Sequence, residues 1–224
     1  MTYPANLYPR EVRVLPHSVE RQIHPSVESK AKRLVDILGA ILGLAITGLI
    51  AIPIAIAMYF DDPGKLFYSQ TRCGFEGKPF KIWKFRSMIA DAEQQKHLVK
   101  NQATGHIFKN ENDPRITKVG YFLRRTSLDE FPQFWNVLQG DMSLVGTRPP
   151  TVAEVAMYDE HHLLRLKVKP GITGEWQVRG RSQVLDFEEI VRMDLDYQQK
   201  WSCLYDLKLI LRTIIVVLAK KGAC

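Results

Sequence analysis

Asp129 and Glu130 stand side by side in the stretch Leu123-Arg124-Arg125-Thr126-Ser127-Leu128-Asp129-Glu130-Phe131-Pro132-Gln133, behind two adjacent guanidiniums. An aspartate can attack an activated phosphorus and form a covalent acyl phosphate. Such an attack sets a carboxylate against phosphates of the same sign. A magnesium ion relieves that repulsion, because it takes oxygen ligands and neutralises charge. Glu130, with Asp129 beside it, is the candidate ligand pair for Mg2+. Arginine suits bidentate phosphate recognition, which makes Arg124 a candidate phosphate contact. The acids read as lying at a helix start, where free N–H groups and the positive dipole end attract phosphate. A plainer reading fits the same residues: Ser127 and Glu130 have the spacing of a capping box. Pro132 counts against it, since at the fifth helical position it would lose an i→i−4 bond. The helix can instead start nearer Phe131, leaving the acids in the loop before it.

Further cations stand in patterns that could hold an anion. Lys84-Phe85-Arg86 alternates as a strand would, with Lys84 and Arg86 on one face and Phe85 on the other. Gly146-Thr147-Arg148-Pro149-Pro150 is a rigid turn that holds one arginine. Lys84, Arg86, Arg124 and Arg148 are therefore the candidate phosphate contacts; as isolated motifs, each is equally a solvated charge or a plain loop. His161 and His162 are neighbours, so on a helix they face different sides and make a poor metal pair. Solvent exposure is expected for both. There is no Walker lysine loop, no G-x-G-x-x-G and no G-x-S-x-G. Basic charge is scattered among acids without a nucleic-acid motif, so nucleic acid is not an expected partner.

These groups need a scaffold, and the chain is long enough for one core plus a membrane element. Residues 37–60 contain no charge. As one straight helix they would reach roughly 36 Å, enough for a bilayer core of about 30 Å. Lys30, Lys32 and Arg33 precede this run, and Lys65, Arg72, Lys78, Lys81, Lys84 and Arg86 follow it. Positive charge on both sides argues that both ends stay in the cytoplasm. Pro53 sits inside the run and kinks a helix. A helix that enters and leaves by one face satisfies both facts; a single span with a tolerated proline is the alternative.

The remaining elements follow from pattern. Residues 66–86 read as a β-hairpin turning at Gly74-Phe75-Glu76-Gly77. Residues 88–100 read as a surface helix and 101–115 as loop. Phe131, Phe134, Trp135 and Leu138 recur at helical spacing and are expected to face the core, in a helix ended by Gln139-Gly140-Asp141. Residues 152–168 read as one helix, followed by a Lys169-Pro170-Gly171 turn. Residues 184–201 read as an acidic helix. Residues 206–219 are apolar but too short to span, and suit a membrane interface or the body of the protein. The net charge of +7 favours anionic partners. Cys73, Cys203 and Cys224 lack metal spacing and fit a reducing compartment.

The chain resembles the bacterial sugar transferase family, monotopic phosphoglycosyl transferases that prime surface-glycan synthesis on polyprenyl phosphate. The matching residues are Lys32-Arg33-Leu34-Val35-Asp36, Lys84 to Met88, Asn112 to Thr117, Leu123 to Asn136, Gly140 to Gly146, Arg148-Pro149, Lys169 to Gly174 and Trp176-Gln177. No one motif is decisive, whereas the ordered set over residues 30–220 is specific. Two positions depart from the pattern: Ile52 stands where a serine often precedes the proline, and Thr147 replaces a proline.

The resemblance implies a mixed, helix-rich α/β catalytic domain on a re-entrant, proline-kinked membrane helix. The expected parts are a mobile arm over 1–29, the membrane helix over 30–62 and a cytoplasmic domain over 63–224 with a C-terminal interfacial helix. Residues 1–30 are too few for the extra helices and domain of larger members, so a minimal form is expected. The implied reaction has two steps. Asp129 attacks the sugar-bearing phosphate of a UDP-sugar, UMP leaves, and polyprenyl (undecaprenyl) phosphate takes up the phosphosugar. Glu130 is associated with Mg2+, and Lys84, Arg86, Arg124 and Arg148 with substrate phosphates. The expected location is the cytoplasmic face of the bacterial inner membrane, with membrane lipid as a partner. The sugar and the oligomeric state, including a homo-oligomer, stay open. Two other classes fit less well: a non-catalytic nucleotide-sugar-binding scaffold and a basic nucleic-acid binder.

Overall fold

The computed structural model describes residues 23–179 and 184–219. Of the arm expected over 1–29, residues 1–22 lie outside that range. The turn α1 (Pro25–Glu28) follows, with His24 Nε2 2.9 Å from the Gln198 carbonyl. Next come the long helix α2 (Lys30–Asp61), the strands β1 (Phe67–Cys73) and β2 (Pro79–Phe85), and the helices α3 (Lys118–Thr126) and α4 (Phe134–Gln139). The strand β3 (Ser143–Val145), the helices α5 (Val152–Ala156) and α6 (Glu160–Leu163), and the strand β4 (Gly171–Thr173) lead to α7 (Glu175–Arg179), α8 (Phe187–Lys200) and α9 (Cys203–Leu218). The architecture is mixed and helix-rich, as expected.

α2 runs for 32 residues, capped by Ser29 and uninterrupted at Pro53. Its length and composition suffice to cross a membrane. Lys32, Asp36, Ala40, Gly43, Thr47, Ile54 and Met58 are buried, a spacing that lines one face. Leu38, Ile41, Leu42, Leu49, Ile52 and Ile56 stay exposed on the rest. Contiguous exposed apolar surface of this extent suits lipid rather than water.

The buried face of α2 holds the rest of the protein in place. Gly43 lets Phe134 of α4 lie directly on the helix, because a Cβ there would collide with the ring. Thr47 Oγ1 lies 3.3 Å from the Phe131 carbonyl. Further along, Ile54 and Met58 share a core with Phe85 and Leu123.

β1 and β2 pair antiparallel, Phe67 opposite Phe85 and Cys73 opposite Pro79. β3 and β4 pair in parallel, Ser143 opposite Gly171 and Val145 opposite Thr173. Gly171 is obligatory for that approach, since a Cβ would strike the Gly146 backbone. α8 carries the largest core: Phe187, Ile190 and Val191 pack with Tyr158, Leu163, Leu166 and Cys73.

Five local expectations are corrected. Residues 88–100 are turns with a 3-10 segment at Gln94–Leu98 rather than a helix, since their apolar positions are too sparse for a buried stripe. Their partner is Arg115, which is clamped by Asp113 and donates to the Ala92 carbonyl at 2.8 Å. Residues 152–168 form α5, α6 and a 3-10 turn, because Asp159 caps a new helix with its own capping box. Trp135 is exposed, and the buried residues of that stretch are Pro132, Gln133, Asn136 and Val137. Pro170-Gly171 enters a parallel strand, with Pro170 bridged to Thr147. His162 is buried with Nε2 2.6 Å from Glu188, where solvent was expected.

Candidate active site

Asp129 and Glu130 sit on a 3-10 turn, Leu128–Gln133, between α3 and α4. Arg124 and Arg125 fill the last turn of α3, so the guanidiniums and the carboxylates belong to two helical segments that meet at Ser127. Ser127 adopts left-handed φ 58°, not the extended conformation of an N-cap. The capping-box reading is thereby replaced: Pro132 is accommodated in a 3-10 turn, and α4 begins beyond it. This leaves the acids ahead of α4 and facing the hairpin. The Asn136 side chain stitches the assembly together, accepting from Trp83 N–H at 3.1 Å and donating to the Lys81 carbonyl at 2.7 Å.

A cavity of about 330 Å³ opens over this turn. Asp129, Glu130, Lys84, Arg124, Arg72 and Arg148 all line it. Asp129 is 7% exposed. Lys84 Nζ lies 2.8 Å from Glu130 Oε1 and 3.9 Å from Asp129 Oδ2. Arg124 donates from Nε to Ser87 Oγ at 2.9 Å. Burial pushes its guanidinium below the ordinary range, while Asp129 and Asp113 oppose that shift.

Arg148 grips Glu154 with two nitrogens, at 3.0 and 3.2 Å. Burial is the largest single influence and would lower the Arg148 guanidinium, but the Glu154 charge and hydrogen bonds, with smaller help from Tyr158 and Asp194, together raise it. Arg72 Nη1 donates to the Pro149 carbonyl at 2.9 Å. Burial, and then the Arg148 charge, push Arg72 down to about 10. Trp176 and Gln177 of α7 complete the rim.

Three of the four expected phosphate contacts, Lys84, Arg124 and Arg148, are thus brought to one cavity. Arg86 is not. β2 ends at Phe85, and the Arg86 guanidinium binds the Asp62 carboxylate, the Asp62 carbonyl and the Lys65 carbonyl. It closes the end of α2, because the unpaired carbonyls at a helix C-terminus attract a cation. Arg72 is the residue that sequence reasoning missed as a site member. Its only signal in the sequence was that of one more cation after the apolar run.

The donor set fits magnesium. Mg2+ is commonly held by one or two carboxylates, with water and substrate phosphates as the other ligands. Asp129 and Glu130 supply two carboxylates at one cavity wall. No cluster of three or more His, Cys, Asp or Glu side chains suited to a metal occurs among the described residues.

Comparison with known proteins adds independent information. A family model described as bacterial sugar transferase matches residues 27–220. The chain is 54% identical over 195 residues to the galactosyl transferase CpsE of Streptococcus agalactiae, covering 86% of this chain and 43% of that protein. It is 45% identical over 199 residues to the UDP-glucose:undecaprenyl-phosphate glucose-1-phosphate transferase of Escherichia coli, covering 86% and 41%. It spans less than half the length of those two relatives. The exopolysaccharide production protein ExoY of Sinorhizobium fredii is 37% identical, with 86% of this chain and 88% of the relative covered. A match that runs through α2, the acid turn, the arginines of the cavity and α9 leaves one assignment: the chain belongs to the bacterial sugar transferase family.

Proposed function

We propose that the chain moves a sugar 1-phosphate from a UDP-sugar to polyprenyl phosphate, with Asp129 as the nucleophile. The observation that carries this reading is the burial of Asp129 in a cavity lined by Lys84, Arg124, Arg72 and Arg148. The names of the relatives from Escherichia coli and Streptococcus agalactiae support the class of donor and acceptor.

In the first step a carboxylate oxygen of Asp129 attacks the phosphorus that bears the sugar. An O–P bond forms, the bond to UMP breaks, and UMP leaves with the electron pair. In the second step an oxygen of polyprenyl phosphate attacks the same phosphorus. The bond to Asp129 breaks, giving polyprenyl diphosphate sugar and the free carboxylate. A carboxylate and a phosphate oxyanion carry no proton to remove, so neither step as written needs a general base. Lys84 and Arg124 hold positive charge beside the phosphorus, which lowers the cost of bringing anion to anion. Glu130, with Asp129, would hold Mg2+, which supplies further charge neutralisation for the phosphates.

α2 would enter and leave the membrane by the cytoplasmic face, bent at Pro53. The cationic flanks of α2 support this, as does Arg86 tying its far end to the hairpin. Among glycan pathways, exopolysaccharide or capsule synthesis is the reading closest to the relatives' names.

The test is UMP release by the purified protein with Mg2+, a panel of UDP-sugars and polyprenyl phosphate. Intact-mass measurement before the acceptor is added should show a covalent phosphosugar that Asp129→Asn lacks. Binding of a UDP-sugar without UMP release would overturn the enzymatic reading in favour of a nucleotide-sugar-binding scaffold.

A further inference from the structure

Arg72 and Arg148 lie near one carboxylate, Glu154, and only Arg148 pairs with it. Glu154 is fully engaged: it takes two nitrogens of Arg148, and its Oε2 also accepts the Thr151 N–H at 2.8 Å. Arg72 makes no ion pair within 4 Å among the described residues. Its Nε donates to Gln70 Oε1 at 3.0 Å and its Nη1 to the Pro149 carbonyl, both neutral acceptors. Nη2 has no hydrogen-bond partner among the described residues, and the residue lines the cavity. Arg72 therefore brings a positive charge, with donors to spare, to the cavity that Asp129 also lines.

The backbone holds that charge in register. Cys73 N–H donates to the Pro150 carbonyl at 2.9 Å, and Arg72 bridges to Thr151. β1 thus uses its outer edge to clamp the loop of Arg148. A guanidinium fixed by strand and loop recognises a phosphate with less entropy lost than a freely rotating side chain.

We infer that Arg72, beside Arg148, forms the subsite for the phosphate of the departing UMP. This rests on the donor reading above. Lys84 and Arg124 stand beside the nucleophile, where the transferred phosphoryl group must sit. Arg72 lines the same cavity outside the ion pairs that Lys84 makes with the two acids, which leaves it for the second phosphate of the donor. Arg72 is a positioning residue for the donor and a charge partner for UMP as it leaves.

The test is the ratio of UMP to uridine affinity, by calorimetry on the full chain in lipid nanodiscs. This ratio isolates the phosphate. Arg72→Gln should reduce it about tenfold or more, the size of one charge-assisted hydrogen bond, with uridine affinity unchanged. Arg72→Lys keeps the charge without the fork and should keep part of the ratio; it also serves if Arg72→Gln does not fold. An unchanged ratio, or an equal loss of UMP and uridine affinity, would overturn the assignment. Farnesyl phosphate and farnesol form a second arm. A drop confined to that pair would place the acceptor phosphate on Arg72 and overturn the nucleotide assignment. Wild-type protein that binds neither UMP nor any UDP-sugar would overturn the donor reading itself, and this assignment with it.

Discussion

The Lys84 ammonium stands 2.8 Å from the Glu130 carboxylate and reaches Asp129 at 3.9 Å. One cation from the hairpin thus serves two acids on the turn. Lys84 is partly exposed to the cavity, so the pair is screened and its value is positional rather than stabilising. Lys84→Gln should lower kcat by about tenfold to a hundredfold, since one preorganised charge is lost at the reacting phosphorus. Thermal stability should change little. Steady-state kinetics beside a melting curve would check both halves.

The two acids should separate in their effects. Asp129→Asn should reduce turnover by about ten-thousand-fold or more, as loss of a nucleophile does. Glu130→Gln should retain some activity and raise the Mg2+ concentration needed for half-maximal rate by about tenfold or more. A magnesium titration of UMP release by each variant would discriminate them. Wild-type rates in Asp129→Asn would remove the nucleophile assignment.

Lys32 near the start of α2 is buried against Asp206 of α9 at 2.6 Å, and it also donates to the Val145 carbonyl at 2.9 Å. Tyr197 and Trp201 donate to the same aspartate. Removing one partner strands a buried charge, so Lys32→Met should cost about 3–5 kcal/mol. Lys32→Met combined with Asp206→Leu should cost less than Lys32→Met alone. Denaturation of both variants in the same detergent would decide it.

Gly43 and Phe134 form the contact that seats α2 on the catalytic body. Gly43→Val should destabilise by about 1–3 kcal/mol through overpacking. Phe134→Ala in that background should recover part of the loss, by opening the space the valine needs. Melting of the single and double variants would test the coupling.

Acid should weaken the pair between Arg148 and Glu154. Burial alone would raise the Glu154 carboxyl, but the Arg148 charge and hydrogen bonds outweigh burial and hold it below its ordinary value of 4.5. A depressed carboxyl contributes stability that is present above the unfolded value and lost as pH falls through the folded one. Glu154→Gln should therefore melt below the wild type at pH 7, with the gap closing as pH drops below 4.5. Melting curves at both pH values would show whether the gap closes.

The sequence alone determined the features that rest on neighbouring residues. The charge-free run produced a long apolar helix, because every position from 37 to 60 agrees. The hairpin formed where β-rich segments flank a glycine turn. The adjacent acids were legible as chemistry, because their types and order need no fold to be recognised. Tertiary structure decided which charges converge. Lys84 and Arg86 look equivalent in the chain, yet β2 ends between them, and one turns to the acids while the other closes α2. Arg72 carried no local signal stronger than a flanking charge; it became part of the site only because the Arg148 loop zips onto the outer edge of β1. Periodicity and turn chemistry act over a few residues, whereas the pairing of distant charges depends on packing that no local pattern encodes.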